Sequence, residues 1–218
     1  MVAYWDKRLE IFGPERAFLP LTIRGSETTD SALQGNDLVA LQRGVVRLLP
    51  EKADPGGRNI LFVDPSRTDR SKYSTLEKVR AVWYIMHVAL EDDEDTQCKG
   101  IIMLLYPHCA KLAQFDRNLA KHVIGSIRGC LPLRLSAVHF CPPPAFFQVI
   151  FPVIKLLFGE RLRKRINIFF GSQEHVLQRL EQKHGLSRQK LPTELGGSTE
   201  LDHAKWVEDR RFKEQASS

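Results

Sequence analysis

The chain has 218 residues, 43% of them hydrophobic and 27% charged, which supports one globular domain with a sizeable core and no need of disulfides. Nearly all of the +6 net charge sits between residues 134 and 165, where Arg134, Lys155, Arg161, Arg163, Lys164 and Arg165 face a single acid, Glu160. Such local basicity points to an anionic surface or head group more than to a whole-molecule polyanion binder, so no nucleic-acid partner is expected. The N-terminus, MVAYWDKRLEIFG, lacks the apolar core of a secretory leader, and Cys98, Cys109, Cys130 and Cys141 form no CxxC pair. Both features predict a reduced, cytoplasmic protein.

Over residues 1–12, Val2, Trp5, Leu9 and Phe12 recur at near-helical spacing and predict a short amphipathic helix. The polar stretch RGSETTDSALQGND (24–37) reads as irregular. VVRLLP (45–50) and NILFVDP (59–65) then predict two strands joined by a Gly-rich loop. Tyr73 to Asp92 predicts a helix with Val79, Val82, Trp83, Met86 and Leu90 on one face. Five acids close it, Glu91 to Asp95, where the helix dipole is unfavourable, so they read as a solvated loop in preference to a calcium site. GIIMLLYP (100–107) is the unbroken apolar pattern of a strand buried on both faces. A helix from about Leu112 to Gly129 repeats Phe115, Leu119, Val123 and Ile127. In the strand RLSAVHFC (134–141), a period of two puts Val138 and Phe140 on one face and His139 and Cys141 on the other. After an apolar helix come a basic turn, the strand INIFF (166–170) and the helix EHVLQRLEQKHG (174–185); the charged tail after Gly197 is expected to fray. Strands alternating with helices predict an α/β fold, a mostly parallel sheet flanked by helices.

No GxGxxG, P-loop, GxSxG or HExxH motif occurs, and the Ser of GSIRG (125–129) is misplaced for a nucleophile elbow. His108 beside Cys109, and His139 with Cys141, are pairs that resemble metal or Cys/His catalytic chemistry. A histidine on a strand face is more often a hydrogen-bonded structural residue, and cysteine is a common buried type. Asp64 and Asp116 have no visible acid/base partner. Neither a catalytic residue nor a metal site is therefore assigned; an α/β enzyme using His108, Cys109 or Asp64 is the remote alternative.

The distinctive segment is AFFQVIFPVIKLLF (145–158), apolar on every side and followed at once by GERLRKR. A helix of this kind needs apolar cover all round, yet it is too short for a bilayer core, which takes roughly twenty residues. Six of the twelve phenylalanines lie between 146 and 170, and Pro152 predicts a kink or weak point. Two readings are open at this level: a movable lid over a hydrophobic ligand beside a basic, lipid-facing cluster, or a central core helix with a solvated turn.

The order of residues carries a resemblance. Pro132, Arg134, a strand with inner His139, Pro144 and Phe147, a long apolar helix, Arg165 with Ile166, then Leu191, Pro192, Glu194, Gly196 and Gly197 form a pattern similar to the CRAL-TRIO lipid-binding family. GGRNILFVDPSR (56–67) is similar to that family's opening Gly-Arg strand, and the likeness covers roughly residues 43–197. It implies a sheet floor with a mobile gate helix over one lipid, of phospholipid or phosphatidylinositol-like class, carried in an internal pocket and transferred or presented at membranes. By position, Phe147, Ile150, Phe151 and Ile154 match gate residues, while Met103, Leu105, Val123, Ile127, Val138 and Phe140 match floor and wall. Arg134, Arg161, Arg163, Lys164 and Arg165 would meet lipid head groups or the membrane. Relative to phosphoinositide-engaging members, Ser136 replaces an Arg, Leu133 stands where inositol binders carry an acid, and FFG (169–171) replaces His-Gly.

The implied division is a short N-terminal segment at 1–42, supplying only the last helix of the family's N-terminal module, a lipid-binding domain at 43–197 and a charged tail at 198–218. The expected partners are a hydrophobic lipid and, transiently, an anionic membrane surface, with a monomeric peripheral protein and no cofactor beyond the lipid. A lipid-gated scaffold or a regulator of signalling proteins such as small GTPases is the alternative function.

Overall fold

A computed structural model describes residues 2–25, 29–91 and 93–216. Its centre is a five-stranded sheet, β1 (Val46–Leu48), β2 (Ile60–Val63), β3 (Ile101–Leu105), β4 (Leu135–Phe140) and β5 (Ile166–Ile168), in that spatial order. β1 runs antiparallel to β2 and all other neighbours are parallel, as crossover helices require. The helices are α1 (Val2–Phe12), α2 (Asn36–Gln42), α3 (Thr75–Val88), α4 (Glu94–Lys99), α5 (Arg117–Ile127), α6 (Phe147–Arg163), α7 (Gln173–His184) and α8 (His203–Ala216).

The register sets two chemically separate faces. Leu61, Met103 and Val138 are aligned, as are Val63, Leu105 and Phe140, and both rows face α3, α5 and α6. Ile60, Phe62, Ile102 and Leu104 alternate to the other side, where they pack with Cys141, Phe169 and the Val176, Leu177 and Leu180 stripe of α7. Both β2 and β3 thus carry apolar residues on both faces, and the period of two in β4 places His139 and Cys141 away from Val138.

Several expectations need correction. Helix α1 buries Arg8, Ile11 and Phe12, while Val2 and Leu9 are exposed, because Arg8 reaches inward to Leu19 O and lies over aromatic rings. The supposed acidic loop opens a helix: Asp93 accepts a hydrogen bond from Thr96 N (2.9 Å) at the N-terminus of α4, with Glu94 and Asp95 in the first turn. There the dipole favours acids. Asp92, the expected end of the preceding helix, lies outside the described residues. The helix placed at 112–129 is a short 3₁₀ turn at Leu112–Gln114 followed by α5, because Asp116 breaks the run and caps Leu119 N at 2.9 Å.

The tail beyond Gly197 is a packed helix within the described residues. Buried Glu214 of α8 accepts hydrogen bonds from Ile23 N (2.8 Å), Arg24 N (3.0 Å) and Tyr84 O–H (2.6 Å), so α8 pins the N-terminal segment to α3. Burial beside that carboxylate pushes the Tyr84 phenol up. In α6 the non-helical residue is Gly159 (φ 66°, ψ 169°), beyond the expected weak point at Pro152; a positive φ is open to glycine at little cost. The apolar run therefore ends at a kink, and the basic segment after Gly159 forms a separate short helical stretch.

Candidate ligand-binding site

A cavity of about 170 Å³ lies between the sheet and helices α3, α5 and α6. Its floor is Val46, Val63, Met103, Leu105, Leu135, Val138 and Phe140, all from one sheet face. Leu119, Val123, Ile124 and Ile127 of α5 and Val82 of α3 make the walls. The roof is α6, whose Phe147, Ile150, Ile154, Phe158 and Leu162 recur at three- and four-residue steps and point one face inward. Of the ten residues matched to gate, floor and wall, nine line this cavity. The tenth, Phe151, stands outside the lining and packs on Phe147 and Phe140, with ring centroids 5.1 and 6.1 Å away.

The opposite face of α6 is uncovered: Val149 and Leu156 are 76% and 71% exposed. The helix is also weakly tied at its ends. No side chain caps its N-terminus, Pro152 removes one internal donor, and Gly159 interrupts it near the other end. Arg128 at the end of α5 holds that second end, donating to Leu157 O at 3.2 Å.

At the Leu135 end, the cavity adjoins a basic cleft, the two sharing Ile127, Leu135, Phe158 and Leu162. Arg128, Arg134, Arg161 and Arg165 line the cleft with Glu160. Burial, with Arg134 and Arg161 alongside, pulls the Arg165 guanidinium below its ordinary value, and its Nη1 donates to Leu135 O. Arg163 turns back to Lys155 O (2.8 Å) and exposed Lys164 approaches Glu160 (3.9 Å), so neither lines this cleft. Arg128 was not singled out from sequence; its only signal was an Arg at the end of a helix that the pattern already placed beside the cavity.

Few polar groups line the far end of the cavity: Lys78, Lys111, Gln114 and Asp116. Burial draws the Lys78 ammonium down to about 8, opposed in part by Asp116. On the other side of the sheet, His139 packs against His184 at a centroid distance of 4.4 Å, and burial drops its pKa to about 3. Burial likewise pushes the Cys141 thiol up, away from reactivity. His108 and Cys109 are exposed beyond β3, while Asp64 accepts from Ser66 N (3.0 Å) and lies 4.0 Å from buried Arg47. Among the described residues no three His, Cys, Asp or Glu side chains converge to hold a metal ion.

A sheet floor, a helical roof and the Leu-Pro-x-Glu-x-Gly-Gly end at Leu191–Gly197 coincide with a known family: the CRAL/TRIO domain matches residues 44–197. The chain belongs to the CRAL/TRIO domain family. Members of this family bind and carry lipids or other small hydrophobic ligands. The chain is 34% identical over 170 residues to the alpha-tocopherol transfer protein-like protein of Mus musculus, covering 76% of this chain and 47% of that protein. It is 30% identical over 154 residues to tyrosine-protein phosphatase non-receptor type 9 of Homo sapiens, covering 70% of this chain but 24% of the phosphatase. Clavesin-2 of Mus musculus is 26% identical over 150 residues, with 66% and 43% covered. The chain thus spans about half the length of the first of these relatives and less of the others. Among solved structures, Sfh5 superposes with a TM-score of 0.59 at 16% identity over 96% of this chain and 75% of its own, a likeness of CRAL/TRIO fold. No helix among the described residues is long and apolar enough to cross a membrane.

Proposed function

We propose that this CRAL/TRIO chain binds one hydrophobic lipid in the cavity and transfers or presents it at membranes, with α6 as the gate. The observation that carries this reading is the continuity of an apolar chamber, roofed by a weakly tied helix, with a cleft of four arginines. At about 170 Å³ the chamber is below the roughly 300–1,000 Å³ typical of ligand sites, so loading requires α6 to shift. Exposing Phe147, Ile154, Phe158 and Leu162 to water would cost on the order of 10 kcal/mol at about 1.5–3 kcal/mol each. Acyl chains can supply the missing cover, so the gate stays shut in water and opens at a bilayer. Val149 and Leu156 already offer an apolar outer face, and each cleft arginine adds roughly 1 kcal/mol of attraction to an anionic leaflet. The protein would act as a peripheral, cytoplasmic carrier, with no bond-making step and no cofactor besides its lipid.

The test is transfer of labelled phospholipid between liposomes, together with extraction of lipid from the purified protein. Transfer or a co-purified lipid supports the reading, and absence of both defeats it. The match to less than a quarter of a phosphatase's length favours a second reading, in which the lipid-bound state is sensed within a larger assembly. Bound lipid without transfer, and partner binding that depends on the lipid, would select it.

A further inference from the structure

Lys78 is the anomaly of the cavity: a lysine 4% exposed on the wall of an otherwise apolar chamber. Its ammonium has three donors but a single acceptor, Thr68 Oγ1 at 2.7 Å, and no ion-pair partner among the described residues. The nearest charges do not fill that gap. Asp116 is the one acid acting on it, and both its oxygens are engaged elsewhere, Oδ1 by Leu119 N at 2.9 Å and Oδ2 by Thr75 Oγ1 at 2.6 Å. Arg70, held to Phe115 O at 2.9 Å, adds a second positive charge nearby, and Lys111 at the mouth adds a third. Three cations against one carboxylate leave this end of the chamber with an excess of positive charge. A buried ammonium bonded to one hydroxyl and only partly offset by a neighbouring carboxylate is costly, so an anionic ligand group would remove a penalty as well as form a bond. The basic cleft lies beyond the opposite, Leu135 end, so the chamber has two separate polar ends with an apolar passage between them.

From this geometry we infer that Lys78 is an interior anchor for a carboxylate, so that the chamber accepts a single-chain lipid with its acid group against Lys78 Nζ and its tail along the Met103 and Val138 floor. This assignment rests on the lipid-binding reading above and names the ligand class for it.

Binding of oleate and of oleyl alcohol to the wild-type chain and to Lys78→Met, each confirmed as folded by thermal melting, tests it. A charge-assisted hydrogen bond is worth about 1.5–3 kcal/mol, so the wild type should prefer oleate roughly 10- to 100-fold. Lys78→Met should erase that preference by weakening oleate binding roughly 10- to 100-fold more than oleyl alcohol binding. As a check independent of any variant, carbodiimide coupling of bound oleate to the wild type should yield an amide on Lys78 by peptide mass spectrometry. Equal affinities in the wild type, a preference that survives Lys78→Met, or coupling at Lys111 or Lys155 instead would each overturn the assignment. Phospholipid transfer without any oleate preference would overturn this inference alone, and absence of all lipid binding would overturn both.

Discussion

Removing Arg134 and Arg161 together separates electrostatic membrane attraction from apolar insertion. Arg134 and Arg161 are exposed and line the cleft, and neither side chain makes a hydrogen bond or ion pair within the described residues. Arg165 is excluded because its guanidinium also satisfies Leu135 O at the start of β4, so its loss would disturb the sheet as well. At about 1 kcal/mol per cation near an anionic surface, Arg134→Gln with Arg161→Gln should cost about 2 kcal/mol, or roughly 30-fold in affinity. Co-sedimentation with vesicles containing phosphatidylserine should show that loss, and vesicles of phosphatidylcholine alone should show almost none. The salt dependence should flatten in the variant, since charges beyond about 10 Å are screened at 0.1 M ionic strength. Leu156→Ser is the contrasting perturbation: it removes an exposed apolar group and should weaken binding to both vesicle types equally. An equal loss on charged and neutral vesicles for the double arginine variant would refute the assignment of the cleft to anionic lipid.

Three further outcomes follow from packing. Gly100 has φ 87°, and a Cβ there would lie 2.2 Å from Arg134 O, so Gly100→Ala should destabilise the fold by at least about 2 kcal/mol in urea unfolding and displace Arg134. Glu214→Ala leaves Ile23 N, Arg24 N and the Tyr84 hydroxyl without this acceptor, and should cost roughly 3 kcal/mol or more with earlier proteolysis of residues N-terminal to α2. His139 is buried neutral with a pKa of about 3 against 6.5, so the unfolded chain takes up a proton first on acidification. Stability should fall as pH drops from 6.5 towards 3, and His139→Leu should remove much of that slope in pH-dependent denaturation; an unchanged slope would place the acid sensitivity elsewhere.

The elements legible in the chain were those whose patterns are local. The apolar run Ile101–Leu105 is a strand because it must be covered on both faces, and the α3 stripe of Val79, Val82, Trp83 and Met86 is buried as its spacing requires. The start of α3 was less exact: the apolar spacing placed it at Tyr73, whereas the capping box of Ser74 and Glu77 sets it at Thr75. By contrast α8 is strongly polar, and its order depends on Glu214 meeting donors some 190 residues earlier in the chain. The acids after α3 were ambiguous for the same reason: whether they end one helix or begin the next depends on where the chain turns.

The sequence by itself determined the alternation of strands and helices, the all-round apolar helix with its basic continuation, and the ordered motif that places the chain in the CRAL/TRIO domain family. Periodicity and composition report what each segment must bury. They do not report against what, and that was decided in three dimensions. Strand register and helix packing brought Met103, Val138, Phe147 and Ile154 around one chamber, left Phe151 outside its lining, and joined Arg128 to a cleft with arginines from two other segments. The same packing buried Lys78 with its charge only partly offset by Asp116, because a helix whose neighbouring positions are apolar carries every residue on that face inward, whatever its charge.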